Sequence, residues 1–258
     1  MNHRARKRFG QHFLTAPETI EQIVAAINPA EGEIIVEIGP GQAAITQPLS
    51  VLATELHAIE FDRDLVERLR SRFATRDNVT IHEGDALSFD YATLGTALRL
   101  VGNLPYNIST PLLFHLLTFR DHIADMHFML QKEVVDRICA SPGTKNFGRL
   151  TIMLGCRMES VPLFDVPPTA FSPPPKVMSS VVRMRPMPHG RFDVRDGTVL
   201  DAIVKLAFSR RRKTLRNALG GMASAGDLDA VGLDPSLRPE QVPIDDWVTL
   251  ANRLSLTA

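Results

Sequence analysis

Ile34-Ile35-Val36-Glu37-Ile38-Gly39-Pro40-Gly41 is the stretch on which the reading of this chain turns. The apolar, β-branched run reads as a buried strand. The Gly-Pro-Gly that closes it reads as a tight turn, where backbone can approach a ligand with no Cβ in the way. Downstream the pattern recurs: residues 54–60 read as a second strand, 79–82 as a third running into Gly84-Asp85-Ala86, and 98–101 as a fourth running into Gly102-Asn103-Leu104-Pro105-Tyr106. Helical segments over 43–53, 62–73 and 110–117, then a strand over 126–130, continue the alternation. Strands separated by helices predict an α/β fold with a parallel sheet covered on both faces. Ligands in such sheets bind at the carboxyl ends of the strands, where all of these turns fall.

Before this block, Ile20, Ile23, Val24 and Ile27 share a helical face over residues 17–27, with Thr15 as a cap. After it, the proline-rich residues 166–176 exclude regular helix and central strand, and 179–184 read as a final strand. Pro186-Met187-Pro188-His189-Gly190 reads as a linker. Beyond it come short helices: Val199, Ile203 and Leu206 share a face, Gly220-Gly221 stops a segment, and Asp245 caps 246–254. The predicted division is a main domain over residues 1–188 and a small helical domain over 189–258.

With 258 residues, 44% of them hydrophobic and 22% charged, the chain suits a large α/β domain with an appendage and excludes wholesale disorder. No apolar run is long enough to cross a bilayer, so no membrane partner is expected. The basic N-terminus lacks the apolar stretch of a secretory signal. Cys139 and Cys156 lack metal-ligand or redox spacing; small buried thiols in a reducing cytoplasm, and no metal, are expected. The net charge of zero hides an uneven distribution: residues 1–16 carry +4, residues 186–258 carry +1 and the middle carries −5. A nucleic acid would therefore be held by local patches rather than by a global field.

The chemistry is concentrated at the turns. Gly39, Gly41 and Ala44 satisfy a loose dinucleotide fingerprint, so a nicotinamide cofactor must be weighed. Glu37 favours S-adenosylmethionine instead, because a carboxylate can meet an ammonium group whereas a pyrophosphate gains nothing from it. Glu60 suits a ribose diol, and Asp85 the cofactor's adenine amine. Asn103-Leu104-Pro105-Tyr106 suits an acceptor amine on a base. The Asn103 side-chain oxygen and the Leu104 carbonyl can hold its protons and stabilise charge developing on nitrogen. Pro105 stiffens the turn, and Tyr106 offers a stacking face. Phe171, in Phe171-Ser172-Pro173-Pro174-Pro175-Lys176-Val177, either covers the base from the other side or packs beneath the proline loop.

These residues resemble the ribosomal RNA adenine N6,N6-dimethyltransferase family, in its bacterial small-subunit branch. The likeness runs from Ala5-Arg6-Lys7-Arg8-Phe9-Gly10-Gln11-His12-Phe13-Leu14 through the glycine turn and Gly102 to Pro111. It continues through Phe128-Met129-Leu130-Gln131-Lys132-Glu133-Val134 and the proline loop to Arg211-Arg212-Lys213-Thr214-Leu215-Arg216-Asn217. The resemblance implies a Rossmann-like class I methyltransferase sheet with a small C-terminal helical domain. It implies S-adenosylmethionine as cofactor, held at His12, Leu14, Gly39, Glu60, Asp85 and Asn103; the glycine turn itself adds Glu37 and Gly41. It further implies dimethylation of two adjacent adenosines near the 3′ end of 16S rRNA, in the small ribosomal subunit or its precursor, with a role in subunit biogenesis. A cytoplasmic monomer is expected. One departure stands out: the family usually has asparagine where this chain has His12.

Arg210, Arg211, Arg212, Lys213 and Arg216 place five positive charges within seven residues. Beside such a site they are read as RNA phosphate contacts, together with Arg6, Lys7 and Arg8 of the N-terminal arm. The rival readings are a nicotinamide oxidoreductase, a methylase acting on large-subunit RNA, and a binding protein without catalysis. The intact Asn103, Pro105 and Tyr106 argue against the last.

Overall fold

The computed structural model describes residues 12–256 of the protein. It falls into two compact units. The first holds the described residues up to Val135 together with Val161–Pro186, and the second holds Asp136–Ser160 and the described residues from Met187 onward.

The strands are β1 (Phe13–Leu14), β2 (Ile34–Ile38), β3 (Glu55–Glu60), β4 (Val79–Glu83), β5 (Leu98–Asn103), β6 (Ile123–Gln131), β7 (Met158–Val166), β8 (Phe171–Ser172) and β9 (Ser179–Pro186). Seven of them form one sheet in the order β4-β3-β2-β5-β6-β9-β7. Its central strands are buried along most of their length because both faces are covered. Ile35, Val36, Leu56, Ala58, Leu100, Val101 and Phe128 are fully buried. The covering helices of this unit are α1 (Pro17–Ile27), α2 (Thr46–Leu52), α3 (Arg63–Arg72) and α4 (Ser109–Leu117). The chain moves outward from β2 to β3 and β4, then returns to place β5 on the other side of β2. That reversal opens a crevice at the strand ends, where such sheets hold ligands.

The structure corrects the expected all-parallel sheet. Strands β2 to β6 are parallel, but β9 lies antiparallel to β6, from Met126 opposite Met184 to Gln131 opposite Ser179. Strand β7 escaped the sequence reading altogether. It holds Pro162 and is buried only at its two end residues, both of which an edge strand tolerates and a central strand does not. Thr15 is not the cap of α1. Ala16 occupies that position without a side-chain cap bond, and the Thr15 hydroxyl donates to the Ala170 carbonyl at 3.2 Å.

The second unit is helical: the end of α5 (Lys132–Ile138), then α6 (Arg149–Gly155), α7 (Gly197–Ser209), α8 (Leu215–Ala218), α9 (Ala225–Ala230) and α10 (Ile244–Leu254). Residues 136–160, which the sequence division left with the sheet, join it because Phe147, Leu150, Ile152 and Leu154 are buried and α6 packs on α7 and α10. Trp247 is fully buried, with its ring 6.0 Å from Phe208, which lies 6.5 Å from Phe147. Asp245 is not a cap: α10 starts one residue before it, on Pro243 as N-cap, and the Asp245 carboxylate pairs with Arg191 at 2.8 Å.

Candidate active site

A cavity of about 240 Å³ lies in the first unit, at the carboxyl ends of β2, β3 and β5 and the turn after β4. The glycine turn forms its floor, with Gly39 at φ 71° and Gly41 at φ 55°. Both are left-handed conformations that glycine adopts without penalty. A side chain at Gly41 would also crowd the Phe13 ring at 3.2 Å. Gly102 matters more than its sequence context announced. A Cβ there would stand 2.4 Å from the Ile38 carbonyl oxygen, so only glycine lets the end of β5 lie against the start of the turn.

Glu37, Glu60 and Asp85 line this cavity together with Asp62, and the first three are not alike. Glu37 is buried, and its Oε2 has no hydrogen-bond partner among the described residues. Burial, reinforced by the nearby Glu60 charge against bonding from Thr46, pushes it from 4.5 up to about 7. Glu60 is also buried, but both its oxygens are engaged: Oε2 accepts from the Gly41 N–H at 3.1 Å, and Oε1 from the Phe61 and Asp62 N–H groups at 2.9 Å. It ties the end of β3 to the glycine turn. Burial raises its pKa in spite of those bonds. Asp85 is exposed, with Oδ1 accepting from the Leu87 N–H at 2.9 Å.

The opposite wall is Asn103-Leu104-Pro105-Tyr106. Asn103 Nδ2 donates to the His12 backbone carbonyl at 3.0 Å. A carbonyl only accepts, so the amide nitrogen must face it. Oδ1 is thereby left with no partner among the described residues. The Leu104 N–H donates to the Met129 carbonyl at 3.2 Å, which anchors the turn to β6. The Tyr106 hydroxyl shares a 2.8 Å hydrogen bond with Ser179 Oγ, and burial holds the phenol above its usual range. His12 lines the same cavity and Leu14 is buried beside it.

Phe171 is corrected. It lies opposite Leu14 in the β1–β8 pair, is buried, and belongs to the hydrophobic core with Ile23, Ile27 and Val181 rather than to the cavity wall. In the second unit Arg210, Arg212, Lys213 and Arg216 are exposed. Arg211 is not available in the same way. Its guanidinium donates to the Lys145 and Thr144 carbonyls at 2.6 and 3.1 Å and stands 3.5 Å from Glu240, so it holds a neighbouring loop. Arg6, Lys7 and Arg8 lie outside the described residues. No cluster of metal-ligating side chains occurs among the described residues, and no helix there is long and apolar enough to cross a membrane.

A relative named ribosomal RNA small subunit methyltransferase A, from Aromatoleum aromaticum, is 54% identical over 253 residues, spanning 98% of this chain and 95% of its own. A dimethyladenosine transferase from Plasmodium falciparum superposes with a TM-score of 0.79 at 25% identity, covering 93% of this chain and 96% of its own. The 23S rRNA methyltransferase ErmE has the same fold, with a TM-score of 0.71 at 23% identity over 94% of this chain and 99% of its own. The profile of the ribosomal RNA adenine dimethylase family matches residues 2–256, and the chain belongs to that family.

Proposed function

We propose that the protein transfers methyl groups from S-adenosylmethionine to the N6 amines of two adjacent adenosines near the 3′ end of 16S rRNA. Its substrate is the small ribosomal subunit or its precursor, whose biogenesis it serves as a cytoplasmic monomer. The observation that carries the reading is Asn103, whose amide is turned by the His12 carbonyl so that Oδ1 remains to accept from a substrate amine.

The cavity suits the cofactor. The orphaned Glu37 oxygen fits an ammonium group, the left-handed Gly39 and Gly41 leave room for close backbone approach, and Asp85 stands exposed for an adenine amine. Glu60 supports this cradle through Gly41 and offers its remaining acceptor capacity to a ribose diol. When bound, S-adenosylmethionine supplies an electrophilic methyl group. Asn103 Oδ1 and the Leu104 carbonyl hold the two amino protons of adenine and stabilise positive charge as it appears on nitrogen. Tyr106, its ring fixed through Ser179, supplies a stacking face worth about 1–3 kcal/mol per base. Water suffices to take the released proton. Arg210, Arg212, Lys213 and Arg216 hold RNA phosphates, and Arg6, Lys7 and Arg8 add to them.

The choice of small-subunit RNA follows the name of the 54% identical relative; the likeness to ErmE supports the fold alone. Mass-spectrometric nucleoside analysis of RNA from cells with and without the protein tests the proposal. Dimethyladenosine should vanish from small-subunit RNA and persist elsewhere. An unchanged small-subunit RNA would sink it.

A further inference from the structure

We propose that Tyr91 is a positioning residue for cofactor recognition: its hydroxyl holds the Ala86–Leu87 peptide and so aims the Asp85 carboxylate at the amine of the cofactor's adenine. The inference rests on the functional reading above and gives a task to a buried side chain outside the chemistry.

The turns that line the cavity after β2, β5 and β4 are not equally supported. Strands β2 and β5 each have a neighbour on both sides, whereas β4 is the edge of the sheet. The turn after β4 is tied to the sheet through the Gly84 N–H, which donates to the Glu60 carbonyl at 3.0 Å. Beyond Gly84 its support comes from the short 3-10 helix Tyr91–Leu94. Tyr91 is fully buried, with its ring 5.3 Å from Phe89, 5.4 Å from Phe119 and 5.9 Å from His115. Its hydroxyl donates to the Ala86 carbonyl at 3.1 Å. Burial, reinforced by the Asp85 charge, holds the phenol above its usual range, so it keeps that proton. His115, on α4, secures the same turn with Nε2 3.1 Å from the Phe89 carbonyl oxygen.

The Ala86 carbonyl and the Leu87 N–H are two sides of one planar peptide group. On one side the plane accepts from Tyr91, and on the other it donates to Asp85 Oδ1 at 2.9 Å. The hydroxyl therefore sets the tilt of the plane, and the plane sets the carboxylate. Donation to the carbonyl also polarises the N–H and strengthens its hold on Oδ1. Phenylalanine would fill the same aromatic nest but leave the Ala86 carbonyl without its donor. An unpaired carbonyl there is costly, and the peptide turns to relieve it, taking the Leu87 N–H and Asp85 with it.

Calorimetry with two ligands tests the proposal. One is S-adenosylhomocysteine, which shares the adenosine of the cofactor. The other is its deaminated analogue S-inosylhomocysteine, which has a carbonyl where adenine has its amine. Wild type should prefer the first by at least about tenfold, and Asp85→Ala should remove most of that preference. Tyr91→Phe should weaken S-adenosylhomocysteine binding by about three- to tenfold and bind the analogue no more weakly than wild type does. In the double variant Tyr91→Phe should add almost nothing to Asp85→Ala, because both act through one contact. Partial unfolding of a variant weakens both ligands by the same factor and leaves the ratio of the two dissociation constants intact. A mere packing role would weaken both ligands alike and add in full to Asp85→Ala; either result would overturn the proposal. So would an unaltered preference in Tyr91→Phe. Equal binding of the two ligands by wild type would overturn it alone, and binding of neither would overturn the functional reading with it.

Discussion

Strand β5 carries Arg99 near its start and Asn103 at its end, and the two ends treat their polar groups in opposite ways. At the first, the guanidinium is paired throughout, and the unbonded ring nitrogens belong to its neighbour His127, 3.5 Å from Asp125. Arg99 bonds Asp125 through Nε and Nη2 at 3.0 and 2.9 Å, Glu33 at 2.6 Å, and the Ile27 and Asn28 carbonyls that end α1 at 2.6 and 3.2 Å. Burial pushes Asp125 upward, but His127 and Arg99 outweigh it and bring its carboxyl down to about 2. At the other end, Glu37 Oε2 is buried with no partner among the described residues, and the half-buried Asn103 spends its Nδ2 on the His12 carbonyl. The paired end fastens strands and helix together. The unpaired end bears the cost of polar groups kept for a ligand. The same contrast recurs in the second unit, where Arg211 serves a loop while Arg212 and Lys213 have no acidic partner among the described residues.

The largest test of this contrast is Arg99→Met. It leaves Asp125 and Glu33 without their cation and should cost about 3–5 kcal/mol in denaturant unfolding. Adding Asp125→Leu should recover part of the loss. Full stability in the single variant would mean that the cluster fastens nothing. At the opposite end, Asn103→Ala should leave unfolding within about 0.5 kcal/mol of wild type. It should raise the methyl-transfer barrier by about 2–4 kcal/mol, comparable to the loss of one oxyanion-hole donor. Unchanged turnover by the folded variant would remove Asn103 from the chemistry.

Glu37 and Asp125 should give the cofactor-free protein opposite pH slopes. The Glu37 carboxyl is raised from 4.5 to about 7, so its contribution to stability is present in full below 4.5 and lost as pH rises through about 7. That shift corresponds to up to about 3 kcal/mol. Asp125 is lowered from 3.8 to about 2, so its contribution is present above 3.8 and lost as pH falls through about 2. Glu37→Gln should flatten the first slope and weaken S-adenosylmethionine binding by calorimetry. An unaltered slope would mean that Glu37 is solvated after all. The smallest effects concern the second unit. Arg212→Ala with Lys213→Ala should reduce the log–log salt slope of RNA binding by up to about 0.7–0.9 per lost contact. Arg211→Ala should instead lower stability by about 1 kcal/mol. Equal effects of all three on the slope would erase the distinction between them.

Much of this was legible in the sequence because backbone rules dominate at the turns. Gly39-Pro40-Gly41 and Asn103-Leu104-Pro105-Tyr106 each follow a run of buried strand residues, and both line the cavity. What escaped depends on contacts between distant segments. Phe171 reads equally well as a stacking ring or as core, and only its pairing with Leu14 decides for core. Arg211 looks like its neighbours until the carbonyls of Thr144 and Lys145 are placed against it. Residues 136–160 follow the sheet in sequence, but their apolar face is buried in the helical unit. Strand β7 lacks the alternation of a half-buried strand because it lies on an edge.

The close approach of Gly102 to Ile38 gives the site a fixed length standard. The glycine turn continues β2 and the Asn103 turn continues β5, and these strands are hydrogen-bonded neighbours, with Glu37 opposite Val101. The gap between the two turns is therefore set by the spacing of paired strands, about 4.8 Å, rather than by loops that can stretch. Any side chain at position 102 resets that standard, however well every contact residue is preserved.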